Sequence, residues 1–190
     1  MNPIVRFAPS PTGQLHIGGV RTALFNYAFA KKHGGTFLIR IEDTDKERSK
    51  DEYIVQILDS LKWLGIEFNG GPIKQSTRTE RYNEVINYLL ETGNAYRCFI
   101  SSDELQELRQ KSESYLYPGI WRDRSKEEIE SKLKDSVPFT IRLRIPESGK
   151  VDFEDLVYKK ISTDISELDD FIIARSDGSP TYNLTVVVDD

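Results

Sequence analysis

Residues 4–45 read IVRFAPSPTGQLHIGGVRTALFNYAFAKKHGGTFLIRIEDTD, and this stretch decides the fold. Ile4–Phe7 is a short β-prone run that enters a loop rich in proline and glycine. Apolar residues at helical spacing predict a helix over 19–33 that ends at Gly34-Gly35, and TFLIRIE predicts a second strand over 36–42. A strand, a helix and a strand in this order form the βαβ unit of a parallel sheet, where ligands bind at the carboxyl ends of the strands.

Two polar segments follow these strands and are candidates for one binding crevice. In the loop before the helix, Gly18-Gly19 lets an anion approach the free N–H groups of the helix start, and His16 lies within reach of a phosphate. The same residues also fit a tight turn with an ordinary polar histidine. The carboxylates of Glu42–Asp45 could bind a metal or an ammonium group, or cap a helix. Arg6 needs an anionic partner, either a substrate carboxylate or one of these acids.

The rest of the chain changes rhythm near residue 72. Helical spacing and two serine–glutamate capping patterns predict helices over 51–64, 79–91, 102–113 and 126–134. Strands are predicted over 96–100, 139–145, 151–161 and 171–174. The βα alternation therefore gives way to an α+β region, which indicates an insertion. We expect three segments: 1–72 as the first part of a nucleotide-binding domain, 73–169 as the insertion, and 170–190 as the start of the return to the first domain.

Composition limits the class of protein. The 190 residues carry a formal net charge of −5, which argues against indiscriminate nucleic-acid binding but not against a local basic surface. Seven basic residues could form such a surface or simply be solvated: Arg122, Arg124, Lys126, Arg142, Arg144, Lys159 and Lys160. The single cysteine, Cys98, excludes an intrachain disulfide and is expected in the core. Because no membrane-spanning run and no signal peptide are visible, we expect a cytoplasmic protein that binds no membrane. We also expect a monomer, although no sequence pattern indicates the oligomeric state.

Three segments carry a resemblance to a known family. RFAPSPTGQLHIGGVRTALFNYAFAKKHGGTFLIRIEDTDKERS closely resembles the N-terminal portion of bacterial glutamyl-tRNA synthetases, and AYRCFIS and DDFIIARSDGSPTYNLTVVVDD extend the likeness over nearly the whole chain. The resemblance implies an α/β protein with the Rossmann-like catalytic domain of a class I synthetase, here incomplete. It also implies that the α+β insertion binds the acceptor stem of tRNA.

The same resemblance implies roles for individual residues. The family's first ATP-binding signature, nominally His-Ile-Gly-His, corresponds to His16, Ile17, Gly18 and Gly19, with glycine in the fourth position. His16, Gly18 and Gly19 would then meet the ATP phosphates, and the ATP-binding loop would comprise Pro9, Ser10, Pro11, Thr12, Gly13, His16, Gly18 and Gly19. Arg6 would pair with the side-chain carboxylate of glutamate, and Ser10 and Glu42 with its α-amino group. The glutamate pocket would comprise Arg6, Ala8, Ser10, Glu42 and Tyr182.

The activity that the resemblance implies is that of a glutamate–tRNA ligase. ATP, with Mg²⁺, would activate L-glutamate to glutamyl-adenylate, and the glutamyl group would pass to the 3′ end of tRNA(Glu). One alternative is the related short enzyme that glutamylates the queuosine base of tRNA(Asp). Another is a truncated paralogue that binds nucleotide or tRNA without chemistry.

Two departures from the family pattern lead to further expectations. The second, lysine-rich ATP-binding signature is absent, so we expect an N-terminal piece of a longer enzyme, with little or no aminoacylation by the chain alone. Val187–Asp190 would then interrupt a parallel sheet in mid-course. Some members bind structural zinc through four residues of the insertion; here Cys98 is joined by Ile100, Trp121 and Asp123 at those positions, so no structural zinc is predicted.

Overall fold

The computed structural model describes residues 2–45, 47–111 and 116–190. The chain forms two compact units, Met1–Thr79 and Glu80–Asp190. None of the helices in these described ranges is long and apolar enough to cross a membrane. The division at residues 72 and 169 concerns the domains of the whole protein and stays a prediction.

The first unit is a parallel three-stranded sheet with two helices. Its elements are β1 (Ile4–Phe7), α1 (Ile17–His33), β2 (Thr36–Ile41), α2 (Asp51–Trp63) and β3 (Ile73–Lys74). The strands lie in the order β1-β2-β3, and all pairs are parallel, with Phe7 opposite Ile39. This βαβαβ arrangement is one half of a Rossmann-like fold, so the predicted α/β class is confirmed.

Both helices cover the same face of this sheet. Alternate residues of the strands, with residues of α1 and α2, form one buried cluster that includes Phe7, Phe37, Ile39, Ile41, Ala23, Ala30, Ile54, Ile57 and Leu61. Since side chains alternate along a strand, Arg6 and Arg40 belong to the opposite face. The two arginines of these strands therefore lie on the face opposite the helices, close to the carboxyl ends of β1 and β2.

The predicted elements of this unit differ from the structure mainly at their ends. α1 begins at Ile17 rather than residue 19, because His16 caps it: its Nδ1 accepts a hydrogen bond from the Gly18 N–H at 3.1 Å. β2 and α2 each stop one residue before the predicted ends at 42 and 64. The two-residue strand β3 was not predicted, since so short a pair carries no periodicity.

The second unit is α+β, as predicted for most of this region. Its elements are α3 (Thr79–Glu91), β4 (Ala95–Cys98), α4 (Ser102–Lys111), α5 (Lys126–Lys134), β5 (Thr140–Leu143), β6 (Lys150–Asp155), β7 (Lys159–Asp164), β8 (Ile172–Ala174) and α6 (Tyr182–Asp189). β4, β5 and β8 form an antiparallel sheet in that order, and β6 and β7 form a separate hairpin. The predicted helix over 102–113 ends at Lys111 in the described residues, and residues 112 and 113 lie outside them.

The single strand predicted over 151–161 is wrong, because the chain turns back in the middle of it. The carboxylate of Asp155 accepts hydrogen bonds from the N–H groups of Val157 and Tyr158, at 2.7 and 2.8 Å. Lys159 then adopts a left-handed backbone with φ of 65°. These two features close a three-residue turn, so β6 and β7 pair as a hairpin.

The sequence predicts no element over the last residues of the chain, where the structure has a helix. Residues 182–189 form helix α6, and Thr181 precedes it in an extended conformation. Leu184 packs against Tyr82, Ile86 and Ile173 in the buried cluster of this unit. The β-branched run from Thr185 to Val188 favours a strand by propensity, but packing of one helical face overrides that weak preference.

Candidate active site

The loop after β1 is held by hydrogen bonds to the elements beside it. The carbonyl of Pro9 accepts from the Glu42 N–H at 3.0 Å, and the carbonyl of Pro11 accepts from the Lys50 N–H at 3.0 Å. Further along, Leu15 N–H donates to Gln56 Oε1 of α2 at 2.9 Å. Both prolines are buried, whereas Ser10, Thr12 and His16 are exposed. The loop therefore has a fixed backbone and presents its polar side chains to solvent.

The start of α1 is closely packed around its two glycines. A Cβ on Gly18 would lie 2.9 Å from Cε1 of His16, and a Cβ on Gly19 would lie 2.8 Å from Cδ1 of Leu15. The Gly18 N–H already donates to Nδ1 of His16, so Nε2 is the ring nitrogen left to donate to an anion. The helix start combines a positive dipole end with this exposed imidazole, as an anion site requires.

Glu42 joins this loop to the end of β2. Its backbone N–H donates to Pro9, its carbonyl accepts from Ser10 Oγ at 3.1 Å, and its side-chain Oε1 accepts from Nη2 of Arg40 at 3.0 Å. The structure thus brings the predicted residues Ser10 and Glu42 together. Arg40 is 5% exposed, and sequence reasoning did not select it, although an arginine inside an apolar strand was visible.

Arg6 and Ala8 lie on either side of the last residue of β1, and both are half-buried. Arg6 is opposite Leu38 in the β1–β2 register. Arg40 lies two residues further along β2, so the two arginines are diagonal neighbours on the same face of the sheet. Arg6, Arg40 and Glu42 therefore share the face of the sheet opposite the helices, which we call the outer face, near the carboxyl ends of the strands. Such a face suits a ligand that carries both carboxylate and ammonium groups.

The other acids of the Glu42–Asp45 segment serve the local structure. Asp43 is buried and accepts hydrogen bonds from the Ser76 N–H at 2.8 Å and the Ser76 hydroxyl at 2.7 Å. Asp45 accepts from Nε of Arg48 at 2.7 Å, and this bond holds the pKa of Asp45 below its ordinary value. Among the described residues, no three His, Cys, Asp or Glu side chains come together as metal ligands.

Tyr182, the fifth residue assigned to the glutamate pocket, lies in the second unit. It is the first residue of helix α6, and its side chain is exposed.

His33, the second histidine of the chain, lies at the end of α1, and its ring is 4.5 Å from that of Phe29. This contact and the helix dipole account for it without a functional role.

The second unit contains a buried polar network that the sequence did not reveal. Asp170, 5% exposed, accepts hydrogen bonds from Tyr96 Oη at 2.7 Å, Arg122 Nη1 at 2.8 Å and the Ile145 N–H at 2.8 Å. The guanidinium of Arg142 lies 3.8 Å from the centre of the Tyr117 ring. Burial, together with the Asp170 carboxylate, raises the pKa of Tyr96.

Five of the seven basic residues considered for a basic surface have partners within this unit. Arg122 and Arg142 lie within the network, while Arg144 pairs with Asp123 at 2.7 Å and also donates to the carbonyl of Arg122. On the surface, Arg124 pairs with Glu128 and Lys160 with Asp152. Arg122 and Arg142 are thus held inside the unit, whereas Arg124 and Lys160 form ion pairs on its surface.

The four residues that stand at zinc-ligand positions of the family have other partners. Cys98 is buried, and its Sγ lies 3.2 Å from the hydroxyl of Tyr117. Ile100 and Trp121 pack around the same cluster, and Asp123 pairs with Arg144. Apolar packing and the polar network link these segments, and the absence of zinc stays a prediction.

A parallel sheet in the order β1-β2-β3, with a glycine-containing helix start and a carboxylate at the strand ends, defines an α/β protein that contains half of a Rossmann-like fold. The chain belongs to the family described as tRNA synthetases class I (E and Q), catalytic domain, which it matches over residues 4–190.

Individual relatives narrow the comparison. The chain is 53% identical to the glutamate–tRNA ligase of Coprothermobacter proteolyticus and 52% identical to that of Legionella pneumophila, each match covering 97% of this chain and 41% and 39% of the relative. It superposes with a TM-score of 0.88, at 36% identity, on a glutamate tRNA ligase from Elizabethkingia meningosepticum crystallised in complex with its amino acid; the match covers 100% of this chain and 42% of that one. The chain thus spans about two fifths of the length of these relatives.

Proposed function

We propose that this chain forms the first part of a glutamate–tRNA ligase. The observation that carries the proposal is the arrangement at the strand ends, where Ser10 and Glu42 are joined beside the capped start of α1. About 50% identity to proteins named glutamate–tRNA ligase supports the same activity. The activity is proposed for the natural gene product, since the relatives are longer than this chain.

Glutamate fits the charges of the outer sheet face. Arg6 would hold the side-chain carboxylate with its two-pronged guanidinium, beside Ala8. Glu42 and Ser10 would accept hydrogen bonds from the α-ammonium group, and Tyr182 is proposed as a further glutamate-binding residue. This arrangement leaves the α-carboxylate unpaired, so that it can act as the nucleophile.

ATP would lie along the loop of residues 9–13 and the start of α1. His16 would donate from Nε2 to a phosphate oxygen, and the positive end of the helix near Gly18 and Gly19 would stabilise charge as the α-carboxylate attacks the α-phosphorus. Glutamyl-adenylate forms and pyrophosphate leaves. Asp43 and Asp45 already accept hydrogen bonds from protein donors, so we do not assign them as Mg²⁺ ligands. Mg²⁺ would instead enter with the nucleotide and offset the phosphate charge.

In the second step, a hydroxyl of the terminal adenosine of tRNA(Glu) would attack the adenylate carbonyl and release AMP. The insertion over 73–169 would hold the acceptor stem, and 170–190 would begin the return to the catalytic domain. We further propose that the enzyme works as a monomer in the cytoplasm without binding membranes. Positioning and charge stabilisation, rather than a protein nucleophile, would provide the catalysis.

The proposal is tested by incubating the natural gene product with ATP, Mg²⁺ and labelled glutamate, with either unmodified tRNA(Glu) or queuosine-containing tRNA(Asp). Charging of unmodified tRNA(Glu) at its 3′ end is the expected result. Labelling of tRNA(Asp) alone would instead identify the enzyme that modifies queuosine. Binding of tRNA without labelling of either substrate would identify a non-catalytic paralogue.

A further inference from the structure

Arg40 occupies a costly position for a charged side chain. It lies within β2, between Ile39 and Ile41 of the buried cluster, and points to the other face of the sheet. Its side chain is 6% exposed and that of its partner Glu42 is 13% exposed, with Nη2 and Oε1 separated by 3.0 Å. A buried ion pair is often no more stabilising than a well-packed apolar pair. Stability alone therefore does not account for the choice of these residues.

Every contact of Glu42 restricts where its carboxylate can lie. The backbone N–H is bonded to Pro9, the carbonyl to Ser10, and side-chain Oε1 to Arg40. Among the described residues, none donates a hydrogen bond to Oε2 of Glu42. One carboxylate oxygen is thus fixed by Arg40, and the other can accept from a ligand.

We propose that Arg40 is a positioning residue that orients Glu42 so that Oε2 accepts a hydrogen bond from the α-ammonium group of bound glutamate. The proposal rests on the proposed function, and it assigns to Arg40 no contact with the substrate. A planar guanidinium fixes both the position and the rotation of a carboxylate, which the ammonium group of lysine does less well. Loss of Arg40 therefore weakens recognition of the α-ammonium group without removing Glu42.

A double-mutant cycle in the natural gene product tests this role, with KM for glutamate measured by aminoacylation of tRNA(Glu). Arg40→Met is expected to raise KM for glutamate by about 10- to 100-fold, with kcat changed by a few-fold at most. Arg40→Lys should restore part of the loss. In a Glu42→Gln background, Arg40→Met should have little further effect, because the residue through which it acts has already lost its charge.

Arg81→Met is the matched control, since Arg81 pairs with Glu84 at the same 3.0 Å on the surface of α3. Its KM for glutamate should equal that of the wild type. Equal increases in KM caused by Arg40→Met in both backgrounds, or an unchanged KM in a folded Arg40→Met or Arg40→Lys variant, would overturn the proposal. A wild-type protein that charges no tRNA with glutamate would instead overturn the proposed function itself, and the role of Arg40 with it.

Discussion

Asp170→Ala is expected to destabilise the second unit by about 4 kcal/mol, within the range for breaking a buried ion pair. The Asp170 carboxylate is 5% exposed and receives hydrogen bonds from Arg122, Tyr96 and the Ile145 N–H. Its removal leaves a guanidinium that is 17% exposed without its carboxylate, together with a buried phenol hydroxyl. Arg122 keeps its bond to the carbonyl of Ile145, which limits the loss.

The two tryptophans allow this unit to be observed separately. Trp63 lies in the first unit and Trp121 in the second, so Trp63→Phe leaves a single fluorophore that reports on the network's surroundings. With a denaturant dependence of about 2 kcal/mol per molar urea, a loss of about 4 kcal/mol lowers the unfolding midpoint by about 2 M. The assay is urea unfolding of Asp170→Ala in the Trp63→Phe background.

Asp123→Ala provides the matched control. Asp123 pairs with Arg144 at 2.7 Å, but its side chain is 74% exposed, so its loss should cost less than about 1 kcal/mol. If the two variants shift the Trp121 midpoint equally, burial does not set the strength of the network, and our reasoning about Asp170 is refuted.

Three further predictions concern single positions. Lys159→Gly should stabilise the chain by about 1 kcal/mol and raise its melting temperature, because glycine accepts the φ of 65° without strain; a lower melting temperature would contradict this. Gly18→Ala should displace the His16 ring, 2.9 Å from the new Cβ, and raise KM for ATP about 10-fold in the natural gene product, whereas Gly71→Ala, with open space around it, should not. Hydrogen bonds from two backbone N–H groups lower the pKa of Asp155 in the folded chain below its ordinary value of 3.8. The ionised carboxylate should therefore stabilise the hairpin fully at pH values above 3.8, and this stabilisation should be lost as the pH falls through the folded pKa. An NMR titration midpoint for Asp155 at or above 3.8 would contradict this prediction.

The first unit was predictable because its signals are local and agree with one another. Helical spacing, the glycines after His33 and two apolar runs all indicate a βαβ unit, and the strand topology then places the two polar segments at one edge. The topology predicts that the two segments meet, whereas the particular pair of Ser10 and Glu42 was implied by the family resemblance. The start of α1 was misplaced because His16 acts as an N-cap, a role that is less common for histidine than for serine or aspartate.

The errors arose where distant contacts outweigh local preference. The β-branched residues of α6 favour a strand, yet Leu184 reaches the cluster around Tyr82, about a hundred residues earlier in the chain. In the network around Asp170, Tyr96 lies 74 positions and Arg122 lies 48 positions earlier in the sequence than Asp170. No local sequence pattern predicts contacts over such separations. Arg40 was overlooked for a related reason, since its burial depends on neighbouring segments rather than on β2 itself.

The run Glu42-Asp43-Thr44-Asp45 shows why adjacent acids in a sequence need not form one site. Strand alternation puts Glu42 on the face of Arg40, while Asp43 accepts hydrogen bonds from Ser76 and Asp45 accepts them from Arg48. Each of the three carboxylates thus accepts hydrogen bonds from a different residue. Glu42 is the one placed beside Ser10, and its second oxygen is available to an incoming cation. A substrate ammonium group, which needs one well-oriented acceptor rather than a cluster, fits this arrangement better than a metal ion does.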